Sequence, residues 1–558
     1  MPDVPSARSP DAVSRRDFVA LSAIGIASVG RGDRAPASPD RASPEHSPGP
    51  QAPRQDALFE KSVAELGAMM ARGALTSRAL TERYLQRINA MDKRGPAVNA
   101  VIELNPDAAS IASALDAERA AGRVRGPLHG IPVLIKDNID TADKMRTTAG
   151  SLALAESRPT RDAFIVERLR AAGAVLLGKT NLSEWANYRS TRSSSGWSGR
   201  GGQTHNPYVL DRNPCGSSSG TGAAIAADFA AVGIGTETDG SIICPSALCG
   251  LVGVKPTVGL WSRAGIIPIS ASQDTAGPMA RTVADAAALL GALTSAVADP
   301  RDSATAASGG KAMADYSTSL DAAGLRGARI GVARNLAGFN PDVDRTFDNA
   351  IVALRNAGAI VIDHADLTTA GKFGDAEGVV LDYEFKAGLN AYLASRGADA
   401  AVKSLAELII WNERNAEREM PWFGQEIFVR AQKSGALTDK KYLDARAKCI
   451  RLARTEGVDA ALAKHRLDAL VLPSNQPAWT TDHLNGDHFT GGDTSFAAVA
   501  GYPSVTVPMG MVHGLPVGMS FVGKAWSEAT LLKYAYAFEQ ATKARKSPRF
   551  VATLGGRA

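Results

Sequence analysis

PCGSSSGTGAAIAADFAAVGIGTETDGSIICP, running from Pro214 to Pro245, is the stretch on which the reading of this chain turns. Two turns rich in glycine and serine bracket a strongly apolar helix and strand. Glycine and serine concentrate where backbone comes close to a ligand or takes unusual dihedral angles, and that density beside an apolar run is not the composition of a solvent loop. The stretch reads as an active-site cassette.

Upstream of it, Gly130-Ile-Pro-Val-Leu-Ile-Lys-Asp-Asn138 is a branched apolar run, expected to be a buried strand that ends in a lysine, an aspartate and an asparagine. A lysine at the end of a buried strand is costly unless it is paired or neutral. A helix over 161–172 and a strand over 174–178 continue an alternating α/β pattern. Gly173-Ala-Val-Leu-Leu-Gly-Lys-Thr180 matches G-x-x-x-x-G-K-[ST] letter for letter. In a phosphate-binding loop those four intervening residues expose their N–H groups, whereas here they form the strand itself, so no ATP site is expected. The long Gly- and Ser-rich connection from Ser193 to Asn213 carries Trp197, His205 and Tyr208, and is expected to contact substrate.

Further out, helical spacing covers 58–70, 76–91 and 108–121. Downstream, the pattern predicts a strand over 252–260 and a helix over 282–293 capped by Thr282. Strands over 329–333 and 359–362 surround an amphipathic helix over 343–356, and a charge-rich helical layer follows from about 382 to 464. Strands over 467–472, 504–508 and 517–522 precede a last helix over 528–542. Strands distributed from 131 to 522 argue for one large α/β domain.

The composition agrees with that. The chain has 558 residues, 45% of them hydrophobic and 21% charged, enough to build a sizeable soluble core. With 62 basic against 57 acidic residues, the net charge of +5 is too weak and too spread for a nucleic-acid partner. Cys215, Cys244, Cys249 and Cys449 have no metal-ligand spacing. The three beside the cassette read as small buried hydrophobes, with a Cys244–Cys249 bridge the pairing left open. At the N-terminus, Ser14-Arg-Arg-Asp-Phe-Val-Ala20, a weakly apolar run from Leu21 to Val29 and Ala35-Pro-Ala37 read as a twin-arginine export signal with its cleavage site. The run is too short for a stable membrane anchor. The expected layout is a signal peptide over 1–37, a disordered linker over 38–56, the folded domain over 57–548 and a C-terminal tail over 549–558, with a soluble, periplasmic mature protein.

Several catalytic patterns compete. Gly216-Ser-Ser-Ser-Gly220 fits the G-x-S-x-G nucleophile elbow, which would make Ser218 the nucleophile. That elbow needs a buried strand before it and a histidine partner. Here the preceding Val209–Cys215 is polar and broken by proline, and His483 and His488 sit in a Gly/Asp loop. Ser308-Gly-Gly-Lys311 matches S-x-x-K without the helix start that would bring the lysine beside the serine. Asp482, His483, Asp487 and His488 lack a helix or strand to hold them as metal ligands.

The remaining reading is specific. The segment resembles the amidase signature family: Cys215-Gly-Ser-Ser-Ser-Gly-Thr-Gly222 stands where that family has G-G-S-S-G-G-S, and Gly235-Thr-Glu-Thr-Asp-Gly-Ser-Ile242 where it has G-[ST]-D-x-G-G-S-I. Lys136-Asp-Asn138 matches the family's catalytic-lysine strand. Cys215, Ser219 and Asp239 depart from it, since many members have glycine there. The likeness covers roughly residues 57 to 548. Through Ser183–Tyr188, Ser272–Pro278 and Ala500–Pro508 it is nearest to members acting on C-terminal peptide amides.

The resemblance implies a single large α/β domain with a central mixed β-sheet covered by helices on both faces. It implies a Ser-Ser-Lys triad: Ser241 as acyl-forming nucleophile, Ser217 bridging from a cis peptide and Lys136 as base. Backbone N–H groups of Thr238, Asp239, Gly240 and Ser241 would form the oxyanion hole, with Ser218 in support behind the triad. Independently, burial lowers a lysine's pKa, and a neutral amine can accept a proton relayed through Ser217. No cofactor and no metal are expected. The expected partner is a small-molecule or peptide amide substrate, with no nucleic acid, no stable membrane anchor and the oligomeric state open. The rivals are an amidase of broader specificity for aryl or aliphatic amides, since family membership alone does not fix the substrate, an amidotransferase A-type subunit, disfavoured by the export signal, and a catalytically dead binding protein, disfavoured because all three triad positions are filled.

Overall fold

The computed structural model describes residues 57–397 and 399–555, so the expected export leader and linker lie outside the described residues. Along the chain, helices alternate with the strands Val101–Leu104 (β1), Pro132–Lys136 (β2), Val175–Thr180 (β3), Trp197–Ser198 (β4), Gly202–Gln203 (β5), Val232–Glu237 (β6) and Val252–Lys255 (β7). They continue with Thr275–Ala280 (β8), Arg329–Val332 (β9), Ile360–Ile362 (β10), Ala469–Pro473 (β11), Ser504–Val512 (β12) and Leu515–Val522 (β13). Eleven strands form one sheet in the order β1-β3-β2-β6-β8-β7-β12-β13-β11-β9-β10, while β4 and β5 form a separate ribbon.

The sheet is mixed, as expected. β3, β2 and β6 run parallel, as do β11, β9 and β10, and the strands between them pair antiparallel. Every residue of β2, β3 and β6 is buried, the signature of parallel strands covered on both faces. Helices Ser219–Ala226, Val283–Leu293, Pro341–Asn356 and Glu528–Thr542 flank the sheet. Ser219–Ala226 (SGTGAAIA) is buried throughout and packs across β1, β2, β3 and β6. Its approach is so close that a Cβ on Gly233 in β6 would lie 2.7 Å from Thr221 Cγ2 and 2.9 Å from Ile225 Cγ1.

Two strands of the sheet were not expected. β1 is a four-residue edge strand with only Val101 buried, too short to announce itself. β8 (TAGPMA) contains Gly277 and Pro278, which demote a run in sequence reading, yet it lies between β6 and β7. Its pairing with β7 stops at Met279–Gly253, so Pro278 has no N–H to offer where none is needed on that side.

The helical layer from 382 to 464 is present and begins earlier, with Gly374–Ser395. It has its own apolar cluster: Phe385, Leu389, Leu393, Leu405, Leu408 and Phe428 pack against Ala149, Leu154, Trp185, Ile267 and Ile269. Residues 549–555 dock rather than trail, since Phe550 N–H donates to Pro207 C=O (2.9 Å) and Leu210 N–H to Val551 C=O (2.8 Å). The aromatics expected to meet substrate from the 193–213 connection do not. Trp197 and Tyr208 are buried, Trp197 packed edge-on to Phe423 beneath the Arg189 guanidinium and Tyr208 donating to Lys546 C=O. His205 Nδ1 bonds Leu210 C=O at 2.9 Å. Packing claimed Trp197 because Arg189, itself ion-paired to Glu184 (3.1 Å), needs apolar cover for its buried stem, and Tyr208 because the C-terminal segment docks on it.

Candidate active site

β2 and β6 are parallel neighbours with Ile135 opposite Ile234, so their carboxyl ends finish side by side. That edge is where open α/β sheets bind ligands. Lys136 ends β2, and its Nζ donates to Ser217 Oγ (2.8 Å), to Thr236 Oγ1 (2.9 Å) and to Thr236 C=O (3.2 Å). Asn138 Nδ2 also donates to Thr236 Oγ1, at 3.0 Å. Burial of the Lys136 amine brings its pKa down from 10.5 to about 7, against the opposing pull of Glu237 and Asp274. Near neutral pH the amine is therefore available as a base.

The two serine turns meet over that lysine. The Gly216–Ser217 peptide is cis, as the resemblance implied. Ser217 C=O accepts from Ser183 N–H (3.1 Å), and Ser218 N–H donates to Ser241 C=O (3.1 Å). Ser218 Oγ donates to Thr236 C=O (3.0 Å) and accepts from Thr236 N–H (3.1 Å), which pins the first turn to β6. Ser218 Oγ thus has both a donated and an accepted hydrogen bond to the β6 backbone. Ser241 is 8% exposed, and its Oγ has no protein hydrogen-bond partner among the described residues.

The second turn offers donors. Among the described residues, no protein acceptor takes the backbone N–H groups of Thr238, Asp239, Gly240 or Ser241. Gly240 has φ +80°, and a Cβ there would stand 2.8 Å from Thr494 Oγ1, so a side chain is excluded twice over. The next two amides are consumed: Ile242 and Ile243 N–H donate to Glu237 Oε2 at 2.7 and 2.9 Å. Glu237 thereby ties the end of β6 to the start of helix Ile243–Leu248, with burial raising its pKa against the opposing Lys255 charge. Side chains on the turn are held from outside. Asp239 accepts from Thr494 Oγ1 (2.5 Å) and Ser495 Oγ (2.6 Å), and Thr238 Oγ1 donates to Asp274 (2.5 Å). Burial moves Asp274 up to about 6. It also pushes Glu377 well above the carboxylate range, with the Asp239 charge adding to the effect.

The structure thus brings Lys136, Ser217, Ser218 and 238–241 into one site. It corrects the cysteine reading: Cys215 and Cys244 form a disulfide with Cα atoms 5.9 Å apart, while Cys249, which the sequence left as a possible partner for Cys244, is a buried free thiol. The bridge cross-links the two serine turns, a pairing invisible from spacing because it depends on how the turns fold together. Thr236, Glu237, Asp274 and the Thr494–Ser495 pair were missed as site residues. The usable signal for Thr236 was its place at the end of a strand parallel to that of Lys136. Among the described residues, no group of three or more His, Cys, Asp or Glu side chains could hold a metal. The P-loop look-alike is strand β3, with Lys179 Nζ bonded to Ile139 C=O (2.6 Å) and Thr147 Oγ1 (2.8 Å).

A cis peptide, a buried lysine and a free serine beside unpaired amides, at the edge of a large mixed sheet, define the class. The chain belongs to the Amidase family, whose model matches residues 79–532, and is a hydrolase acting on amide C–N bonds. Among solved structures it is similar to the native peptide amidase of Stenotrophomonas maltophilia, with 54% identity, TM-score 0.84 and coverage of 88% of this chain and 99% of that one. An amidase family protein from Bacillus anthracis shares 38% identity at TM-score 0.80, over 88% and 92% of the two chains. A probable amidase from Arabidopsis thaliana is 42% identical over 89% of this chain and 92% of its own length. The A-type subunit of a glutamyl-tRNA(Gln) amidotransferase from Chloroflexus aurantiacus is 37% identical over 87% and 97%. No helix among the described residues is long and apolar enough to cross a membrane.

Proposed function

We propose that the protein hydrolyses C-terminal peptide carboxamides to the peptide acid and ammonia through an acyl-enzyme on Ser241. The observation that carries the reading is the 2.8 Å contact from the buried, pKa-lowered Lys136 amine to Ser217 Oγ. Ser241 Oγ attacks the amide carbonyl while its proton passes through Ser217 to Lys136, the serine hydroxyls closing up in the substrate complex. The oxygen of the tetrahedral intermediate faces the unpaired N–H groups of 238–241. As the C–N bond breaks, the proton returns through Ser217 to the leaving nitrogen and ammonia departs. Water then adds to the ester by the same relay and releases the carboxylate, regenerating Ser241 and neutral Lys136. No oxidation state changes.

The peptide-amide preference is supported by 54% identity to a peptide amidase over nearly its whole length. Export by the twin-arginine leader is part of the same proposal, and the Cys215–Cys244 disulfide, a bond favoured in oxidising compartments, supports it. Ammonia release from purified protein is to be measured on peptide amides, anilides, short aliphatic amides and free glutamine. Peptide amides should be the best substrates; if they are the poorest, the specificity is wrong. Ser241→Ala and Lys136→Ala should each abolish release with the fold intact, and full activity in either removes the triad assignment. Replacing Arg15 and Arg16 by lysine should stop export.

A further inference from the structure

Beside the serine turns opens a cleft of about 380 Å³ whose wall includes Gly216, Gly240, Asn187, Asn475 and Thr494, with Phe489 also among its lining residues. The volume is in the range of small-ligand sites. Most polar groups around it are already satisfied. Asp487 accepts from Ser195 N–H (3.0 Å) and Trp479 Nε1 (3.2 Å). Gln476 is saturated too, with Oε1 accepting from Gly491 N–H (2.9 Å) and Nε2 donating to His488 C=O (2.6 Å).

Asn475 differs from these. It is 2% exposed, and its Oδ1 accepts from Gln476 N–H at 2.9 Å, which fixes the amide so that Nδ2 points away from that bond. Nδ2 has no protein partner among the described residues and keeps a small opening to the cleft. A buried amide donor left unpaired in a cavity costs free energy unless a ligand takes it. Its position is constrained by neighbours. A Cβ on Gly492 would sit 3.2 Å from Asn475 Cγ, and one on Gly240 would sit 2.8 Å from Thr494 Oγ1. Gly492 and Thr494 are two residues apart, so Asn475 and the Gly240 turn are packed against one short segment and line the same cleft.

We infer that Asn475 is a specificity-determining residue of this cleft: its Nδ2 donates to the backbone carbonyl oxygen of the residue preceding the C-terminal residue of a peptide amide. The cleft then holds the peptide part of the substrate, and Phe489, 54% exposed, offers an apolar surface to its side chains. The selected substrates are N-acylated amino-acid amides, which have that carbonyl, over simple alkyl amides, which lack it. The inference rests on the peptide-amide reading above.

The test compares ammonia release from N-acetyl-leucinamide and from isocaproamide, which keeps the side chain but has no acylamino group. Asn475→Asp retains the acceptor for Gln476 N–H and removes the donor; Asn475→Ala removes both. Each should lower kcat/KM on N-acetyl-leucinamide by about 5- to 100-fold, the range for an unmade buried hydrogen bond. Each should leave isocaproamide hydrolysis within about twofold, since that substrate offers the donor no partner. Phosphonylation of Ser241 by a simple alkyl fluorophosphonate, which has no such carbonyl, should proceed at the parental rate and shows that the site is folded. Equal losses on both amides, slowed phosphonylation, or no loss on N-acetyl-leucinamide would each overturn the role of Asn475. If the parent enzyme itself fails to turn over N-acetyl-leucinamide, the peptide-amide reading falls and the inference with it.

Discussion

The Lys136 amine makes a quantitative claim about pH. Bringing its pKa from 10.5 to about 7 corresponds to roughly 5 kcal/mol in favour of the neutral form. At pH 7 about half of the molecules then hold a neutral amine and at pH 6 about one tenth, whereas an unperturbed lysine would be neutral in only about one molecule in 3,000 at pH 7. The assay is kcat/KM for ammonia release from a peptide amide between pH 5 and 9. It should fall about tenfold per pH unit on the acid side and flatten above about pH 7 to 8. The same group controls stability. Between pH 7 and 10.5 the unfolded chain binds the proton that the folded site refuses, so stability rises with pH across that window, and the full penalty is present below pH 7. Lys136→Met has no charge to bury. Its thermal midpoint should exceed the parent's at pH 6 and lose that advantage towards pH 10, less whatever is lost with the Lys136 hydrogen bonds to Ser217 Oγ and Thr236. A profile that is flat from pH 5 to 8, or still rising at pH 9, would refute the buried neutral lysine.

Glu237 opposes the lowering of the Lys136 pKa, so Glu237→Gln, which retains an acceptor for Ile242 and Ile243 N–H, should move the acid limb of the profile to lower pH; an unmoved limb would show that Glu237 is itself neutral in the site. Ser218→Ala removes the Ser218 hydroxyl from Thr236 N–H and C=O, the carbonyl keeping its Lys136 donor, and should cost about 1–3 kcal/mol in denaturant unfolding, with ammonia release reduced but present; complete loss with an intact fold would return Ser218 to the chemistry. The Cys215–Cys244 bridge closes a separation of 29 residues, for which chain entropy gives about 3–4 kcal/mol. Reductant, or serine at both cysteines, should lower the denaturant midpoint accordingly, and an unchanged midpoint would mean that the bridge adds nothing.

Much of this site was legible because its chemistry is local in sequence. Ser217 and Ser241 lie in turns whose glycine and serine content has few other uses, and a lysine closing a fully apolar strand is conspicuous. The α/β alternation marked most of the sheet, since buried parallel strands read as continuous apolar runs. Reading failed where identity depends on a neighbour. Pro278 and Gly277 concealed β8 because a proline is tolerated where the adjoining strand has ceased to pair, and the adjoining strand is known only from the fold. Trp197, His205 and Tyr208 look like ligand-binding aromatics on a loop until the rest of the fold is packed around them, Arg189 and Phe423 against Trp197 and the C-terminal segment against Tyr208.

Residue types and spacing therefore determined which groups could carry acyl transfer: one amine, two hydroxyls and a run of small-residue amides. Tertiary structure decided their state. The Lys136 pKa depends on how much water the sheet and the helix Ser219–Ala226 exclude, and the disulfide depends on two turns meeting that are remote along the chain. The free donor of Asn475 exists only because Gln476 has already taken its oxygen. Desolvation and hydrogen-bond satisfaction are sums over everything nearby in space, so a linear sequence does not contain them.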